Sequence, residues 1–126
     1  METKPQRRAY DLGERLVDFA ILVADTVESL PNTRLGNHIA GQLIRCGTSP
    51  APNYAEAQAA ESRVDFIHKL RIVLKELRET RVWLLIVRKK ELVRPPEQVE
   101  SALVECNELI SIFVKSIKTA RRNMEK

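Results

Sequence analysis

Glycine is scarce in this chain, with 4 among 126 residues. None of GxGxxG, GxxxxGK or GxSxG occurs, so a glycine-rich phosphate loop and a nucleophile elbow are both excluded. Aromatic residues make up 5%, which leaves few rings on which a nucleic-acid base could stack. The two cysteines, Cys46 and Cys106, share no CxxC spacing. Zinc-ligand and thioredoxin-type patterns are therefore absent, and the pair reads as two buried free thiols of a cytosolic protein. No run of about 18 apolar residues exists, so no transmembrane helix and no membrane partner are expected. The basic start, Met1 to Arg8, has no apolar stretch behind it and does not read as a secretory signal. Strand signals are missing as well, since no Asn-Gly turn and no alternating run occurs.

What is present is amphipathic helix. Hydrophobic residues are 44% and charged residues 30%, an ordinary soluble balance. At 126 residues one domain is expected, large enough to bury roughly two thirds of the surface of its unfolded chain. Residues 1–9, polar and carrying Pro5, read as a flexible N-terminal arm. Residues 10–122 read as a helical bundle and 123–126 as a tail.

The first helix is expected from Tyr10 to Ser29. Leu12, Leu16, Phe19, Val23 and Val27 form its stripe, and Val17, Ala20, Ile21 and Ala24 widen it. Pro31 ends it, and Asn32 or Thr33 can cap the next. The second helix carries Leu35, Ile39, Leu43 and Cys46 on one face, and small residues at Gly36, Ala40 and Gly41. The third opens at Ser62, with Asp65 three residues on. Phe66, Leu70, Val73, Leu77, Leu84 and Val87 mark its core, with Ile67, Leu74, Arg81 and Ile86 beside them. It ends in Arg88, Lys89, Lys90 and Glu91. The fourth starts near Glu97 and carries Val99, Leu103, Cys106, Ile110, Phe113 and Ile117. Four such helices with short, proline-marked connections predict an all-α, antiparallel up-down-up-down four-helix bundle. Ala20, Ile21 and Ala24 on the first helix, and Trp83, Leu85 and Ile86 on the third, exceed what a four-helix core needs. They predict self-association.

The helical pattern breaks at one place. Gly47, Pro50 and Pro52 fall within six residues, followed by Asn53 and Glu56. Two local readings fit. In one, Gly47 ends a helix and Ser49 caps another with both prolines in its first turn. In the other, a single second helix runs through, kinked at Pro50 and Pro52; this rod is favoured. Asn53 and Glu56 are expected to satisfy groups freed by the prolines and to pair with Arg45 or Gln42, or to make subunit contacts. A ligand site at the kink is the competing reading. Glu76 and Glu79 sit among Lys69, Lys75, Arg78 and Arg81 on their own helix and can pair with some of them.

Little else carries chemistry. A carboxylate-bridged di-metal bundle needs an ExxH on each of two helices. Asp65 to His68 is the sole acid-x-x-His, and His38 has no acid three or four residues before it. No metal or cofactor is expected, and no enzymatic activity. An enzyme using Glu56, Asn53 or Cys46 at the kink is the least favoured alternative. The formal net charge of +4 is compatible with nucleic-acid contact. In an antiparallel bundle Arg7, Arg8, Lys118, Arg121 and Arg122 gather at one pole, and Arg88, Lys89, Lys90 and Arg94 at the other. Both patches are candidates for contact with RNA or DNA phosphates.

The chain also resembles a known family. Gln42-Leu-Ile-Arg45 followed by Ser49-Pro-Ala-Pro-Asn53-Tyr-Ala55-Glu56 is similar to the Q-x-x-R…S-I-P-x-N-x-A-E-G signature of the bacterial four-helix bundle proteins. These are also called the S23 or 23S ribosomal RNA intervening-sequence proteins. Asp65 to Leu85, with Glu76 and Trp83, looks like that family's third-helix block. Two positions depart: Ala51 stands where the family has proline, and Ala57 stands where it has glycine, which predicts a slightly wider helix contact there. The resemblance implies a homo-oligomeric bundle, commonly a pentamer with a central opening, and no known enzymatic activity. A similar fold serves as the accessory protein of diversity-generating retroelements, binding a reverse transcriptase and nucleic acid. The expected function is thus a cytoplasmic scaffold that binds structured nucleic acid or a nucleic-acid enzyme. The alternative is a protein-interaction scaffold with no nucleic-acid role. In either case Gln42, Arg45, Ser49, Asn53, Glu56, Glu76 and Trp83 are structural or interface residues.

Overall fold

Helix starts in this chain are written by short polar side chains. The computed structural model describes residues 11–125, so the arm with Arg7 and Arg8, and Tyr10, lie outside the described residues. The first helix, α1 (Leu12–Glu28), begins after Asp11, whose Oδ1 accepts the Glu14 backbone N–H at 3.0 Å. Helix α2 (Arg34–Thr48) is capped by Thr33, whose hydroxyl accepts from Gly36 N at 3.0 Å. Asn32 bonds the Asn37 side chain instead. Helix α4 (Arg63–Lys90) is capped by Ser62, which accepts from Asp65 N at 3.0 Å. Each such cap satisfies an orphan donor of the first turn and contributes about 1 kcal/mol. Helix α5 (Glu97–Met124) starts at Pro96 without a side-chain cap, and Glu97 and Glu100 stand in its first turn.

Between Thr48 and Pro50 the helical path is divided. A short α3 (Pro50–Gln58) follows α2 after the single residue Ser49. Ser49 stands at the N-cap position of α3, with Pro50 and Pro52 in that helix's first turn, but has φ −72° and ψ −35° and makes no side-chain capping bond. Asn53 N bonds Ser49 O at 3.2 Å, the first helical step of α3. Gly47 is the last residue but one of α2. It is buried inside α2, where a Cβ would lie 2.5 Å from Val23 Cγ1. The residue is glycine because α1 passes there. Among the described residues the fold is all-α, with α2 and α3 together forming the second of four helices, and no strand.

Bonds between the helices relate start to end. Ser29, just past α1, donates to Gln98 at the start of α5, whereas Arg15 near the start of α1 reaches Glu105 and Glu108 further along α5. Arg88 bonds Glu100 and Arg81 bonds Asn107 between α4 and α5. Arg45 bonds Glu76 and Lys69 bonds Glu56, joining α2 and α3 to α4.

The core is a single cluster. Leu16, Phe19, Val23, Ile39, Leu43, Leu77, Leu84 and Phe113 are all fully buried within it. Burial of each such side chain contributes about 1.5–3 kcal/mol. Ala57 is also buried, so the position accepts a Cβ. Four expectations shift by one turn or less. On α4 Ile67 is buried and Phe66 only half-buried; on α5 Leu109 is buried and Ile110 only half-buried; on α2 Leu35 is exposed; on α1 Thr26 enters the core, its hydroxyl donating to Leu22 O. Gly36 is buried against the Pro31 carbonyl rather than a helix, and Gly41 faces open space. Trp83 and Leu85 pack against the core, while Val17, Ile21, Val82 and Ile86 remain exposed.

Candidate functional site

Arg45 is the centre of the one extended polar network among the described residues. The spacing of α2 puts Gln42 and Arg45 one turn apart on the side facing α4. The Arg45 guanidinium donates to Gln42 Oε1 at 3.1 Å, to Glu76 Oε1 at 3.4 Å, and to Glu79 Oε2. Trp83 Nε1 donates to the same Glu79 oxygen at 3.2 Å, and His38 meets the Trp83 ring edge-on at 5.6 Å. Glu76 is only 8% exposed. A carboxylate there needs a cation, and Arg45 supplies one across the interface. The two glutamates therefore pair between helices and not along α4 with Lys69, Lys75, Arg78 or Arg81. The network holds α2 to α4 at one rotation.

The second half of the signature does other work. Asn53 Nδ2 donates to Ser49 O at 3.0 Å and to Ser49 Oγ at 2.9 Å. It serves the backbone next to the prolines, as expected. Neither Asn53 nor Glu56 bonds Arg45 or Gln42. Glu56 instead accepts from Lys69 Nζ at 2.7 Å, which raises the Lys69 pKa through that hydrogen bond first. Tyr54 stacks edge-on against Phe113 at 5.6 Å.

The two cationic ends differ in their company. At the end of α4, Arg88 pairs with Glu100 at 3.4 Å, and Arg94 lies 3.9 Å from Glu91. Lys89 and Lys90 are exposed. Arg88, Glu91 and Arg94 line a cavity of about 380 Å³ together with Val87, Val93, Pro96 and Val99. At the end of α5, Lys118, Arg121 and Arg122 surround a depression of about 260 Å³ with Glu125 at its edge. Arg121 also lines an adjoining hollow of about 370 Å³ with His68, Arg71 and Met124. Arg71 joins this end because α4 begins where α5 finishes. None of Arg71, Lys118, Arg121 and Arg122 is in an ion pair among the described residues. Whether Arg7 and Arg8 approach them lies outside the described residues.

The model of one family, the 23S rRNA-intervening sequence proteins, matches residues 9–115. The chain belongs to the 23S rRNA-intervening sequence protein family. A crystal structure of a protein with unknown function from the S23 ribosomal protein family of Bacteroides thetaiotaomicron VPI-5482 is similar. Its TM-score is 0.76 at 34% identity, over 84% of this chain and 97% of that one. No curated protein matches. The span shared with the intervening-sequence family holds the Arg45 network and the Ser49 break, but stops before Lys118, Arg121 and Arg122.

Beyond that family signature, sequence reasoning missed the tie between α1 and α5. Arg15 Nε and Nη2 donate to the two oxygens of Glu105 at 3.0 and 2.8 Å, with Glu108 at 3.1 Å. The Glu105 hydrogen bond raises the Arg15 pKa. Nothing local marks such a pair across 90 residues. Both thiols are buried. Burial raises the Cys46 pKa and pushes that of Cys106 up to about 12, with its Sγ donating to Leu77 O at 3.3 Å. Nucleophilic thiolates need the opposite shift. Among the described residues no three His, Cys, Asp or Glu side chains converge as a metal site would require, and no helix is long and apolar enough to cross a membrane.

Proposed function

We propose that this chain is a non-enzymatic, homo-oligomeric scaffold of the cytoplasm, pentameric as the family resemblance implies, that binds the phosphate backbone of structured nucleic acid. Its bundle is up-down-up-down and antiparallel, with the second helix kinked at Pro50 and Pro52. The start-to-end bonds between α1 and α5 and between α4 and α5 support that arrangement.

One observation carries the binding reading. Arg71, Lys118, Arg121 and Arg122 share one end, and no carboxylate pairs with them among the described residues. Unpaired exposed cations in a cluster attract a polyanion, and each phosphate they neutralise releases counterions. Every described Phe, Tyr and Trp ring is buried or half-buried, so bases have no exposed platform and the contact is with backbone. The family's description, which names an intervening sequence of 23S rRNA, agrees with a nucleic-acid link. The Arg45 network and Asn53 are structural in this reading, because their polar atoms are spent on the protein itself.

The test is binding of nuclease-treated protein to a structured RNA and to duplex DNA across a salt series. A micromolar or tighter Kd, with log K falling steeply against log salt, is the expected result. Weak binding with a flat salt dependence would overturn it, and would favour a protein partner and no nucleic-acid role.

A further inference from the structure

Two exposed strips on different helices match each other. On α1, Val17 and Ile21 are 49% and 54% exposed, one turn apart, with Asp11 before them and Asp25 after. On α4, Val82 and Ile86 are 51% and 37% exposed, again one turn apart, with Lys75 before and Lys89 after. The buried faces of both helices lie opposite these strips, so each strip looks outward. Neither Asp25, Lys75 nor Lys89 takes part in an ion pair among the described residues.

We infer that the α1 strip of one copy docks on the α4 strip of a second copy, with the two helices running the same way. This rests on the homo-oligomer reading above and names its contact. With Val17 opposite Val82 and Ile21 opposite Ile86, Asp25 falls one residue from Lys89 and Asp11 one residue from Lys75. Apolar faces apolar in the centre and acid faces base at both ends, the arrangement of a protein interface with a hydrophobic core and a charged rim. A nucleic acid on the α4 strip would leave Val82 and Ile86 against phosphate, so a second copy is the better occupant. Because the strips differ, the contact is head-to-tail, and such contacts propagate into a ring when the rotation closes. Lys89 is then spent on the subunit contact and leaves the phosphate site.

The experiment is sedimentation of the full chain at several concentrations. Ile21→Asp is expected to weaken association about thirtyfold or more. Asp25→Lys and Lys89→Asp should each weaken it several-fold, and the double variant should restore it. Circular dichroism on each variant checks that the bundle remains folded. As a second measurement, chains carrying Ile21→Cys are mixed with chains carrying Ile86→Cys and oxidised; a product of twice the chain mass is expected only from the mixture. Wild-type protein that sediments as a monomer would overturn both this contact and the homo-oligomer reading. An oligomer that survives Ile21→Asp, with no crosslink in the mixture, would overturn the contact alone.

Discussion

At single residues the fold is decided by volume and by unpaired charge. Gly47 shows the first. Replacing a helical glycine by alanine ordinarily stabilises a helix by about 1 kcal/mol. Here the new Cβ would sit 2.5 Å from Val23 Cγ1 and 2.9 Å from its Cγ2. Val23 is fully buried and β-branched, so it cannot swing away. Overpacking of that kind costs about 1–3 kcal/mol and outweighs the propensity gain. Gly47→Ala is expected to lower the urea midpoint by an amount equivalent to about 1 kcal/mol. In a Val23→Ala background the same change should be neutral or stabilising. A more stable Gly47→Ala in the wild-type background would mean that α1 and α2 do not approach this closely. In the sequence Gly47 stands out for the wrong reason, because a glycine before two prolines looks like a stop signal. Whether a glycine serves a turn or a neighbour depends on what packs against it, and Val23 lies on another helix. Glu76 makes the same point for charge. Its lysine and arginine neighbours along α4 are real, yet its bond goes to Arg45, because that side chain reaches a carboxylate turned inward.

Whole elements are more legible in the sequence than single side chains are. The three-and-four spacing on α1, α4 and α5 and the caps at Thr33 and Ser62 describe local physics, which the chain carries in its own order. Boundaries differ by a residue or two, as at Asp11, which caps α1 from outside rather than standing in its first turn. Rotation is what local patterns do not supply. A shift from Phe66 to Ile67 as the buried residue is a matter of how α4 turns against α3 and α5. The end of α4 offers a prediction of its own. Glu91 adopts φ 55° and ψ 49°, the left-handed conformation, and Leu92 N closes the helix by bonding Val87 O at 3.0 Å. Glycine is the residue that takes this conformation without a Cβ penalty. Glu91→Gly is expected to stabilise the protein by about 0.5–1 kcal/mol, read as a higher thermal midpoint. The Arg94 pairing that it removes is long and exposed, and is worth little. Glu91→Ala serves as the control, since it removes the same carboxylate and keeps the strain; equal midpoints for the two variants would show that the conformation costs nothing.

The molecule as a whole has its positive charge unevenly matched. The net value of +4 is modest, and what matters is which cations already have carboxylates. Arg15, Arg45, Lys69, Arg88 and Arg94 do. Among the described residues Lys118, Arg121 and Arg122 do not, with Arg71 beside them, whereas at the other end both arginines are paired and only Lys89 and Lys90 are not. The sequence shows two basic ends of nearly equal rank, because pairing partners such as Glu100 for Arg88 lie on another helix and are invisible in linear order. Their inequality leads to a comparison between two sets of variants. Lys118→Gln, Arg121→Gln and Arg122→Gln together should flatten the dependence of log K on log salt by about 0.9 for each phosphate left without its cation, for any nucleic-acid sequence. Arg88→Gln with Arg94→Gln should change that slope much less, since Glu100 and Glu91 already compete with phosphate for those two guanidiniums. Equal effects from the two sets would mean that the carboxylates yield their partners on binding and that both ends touch the polyanion. A larger effect at the α4 end would move the phosphate site there, to the cavity between Arg88 and Arg94.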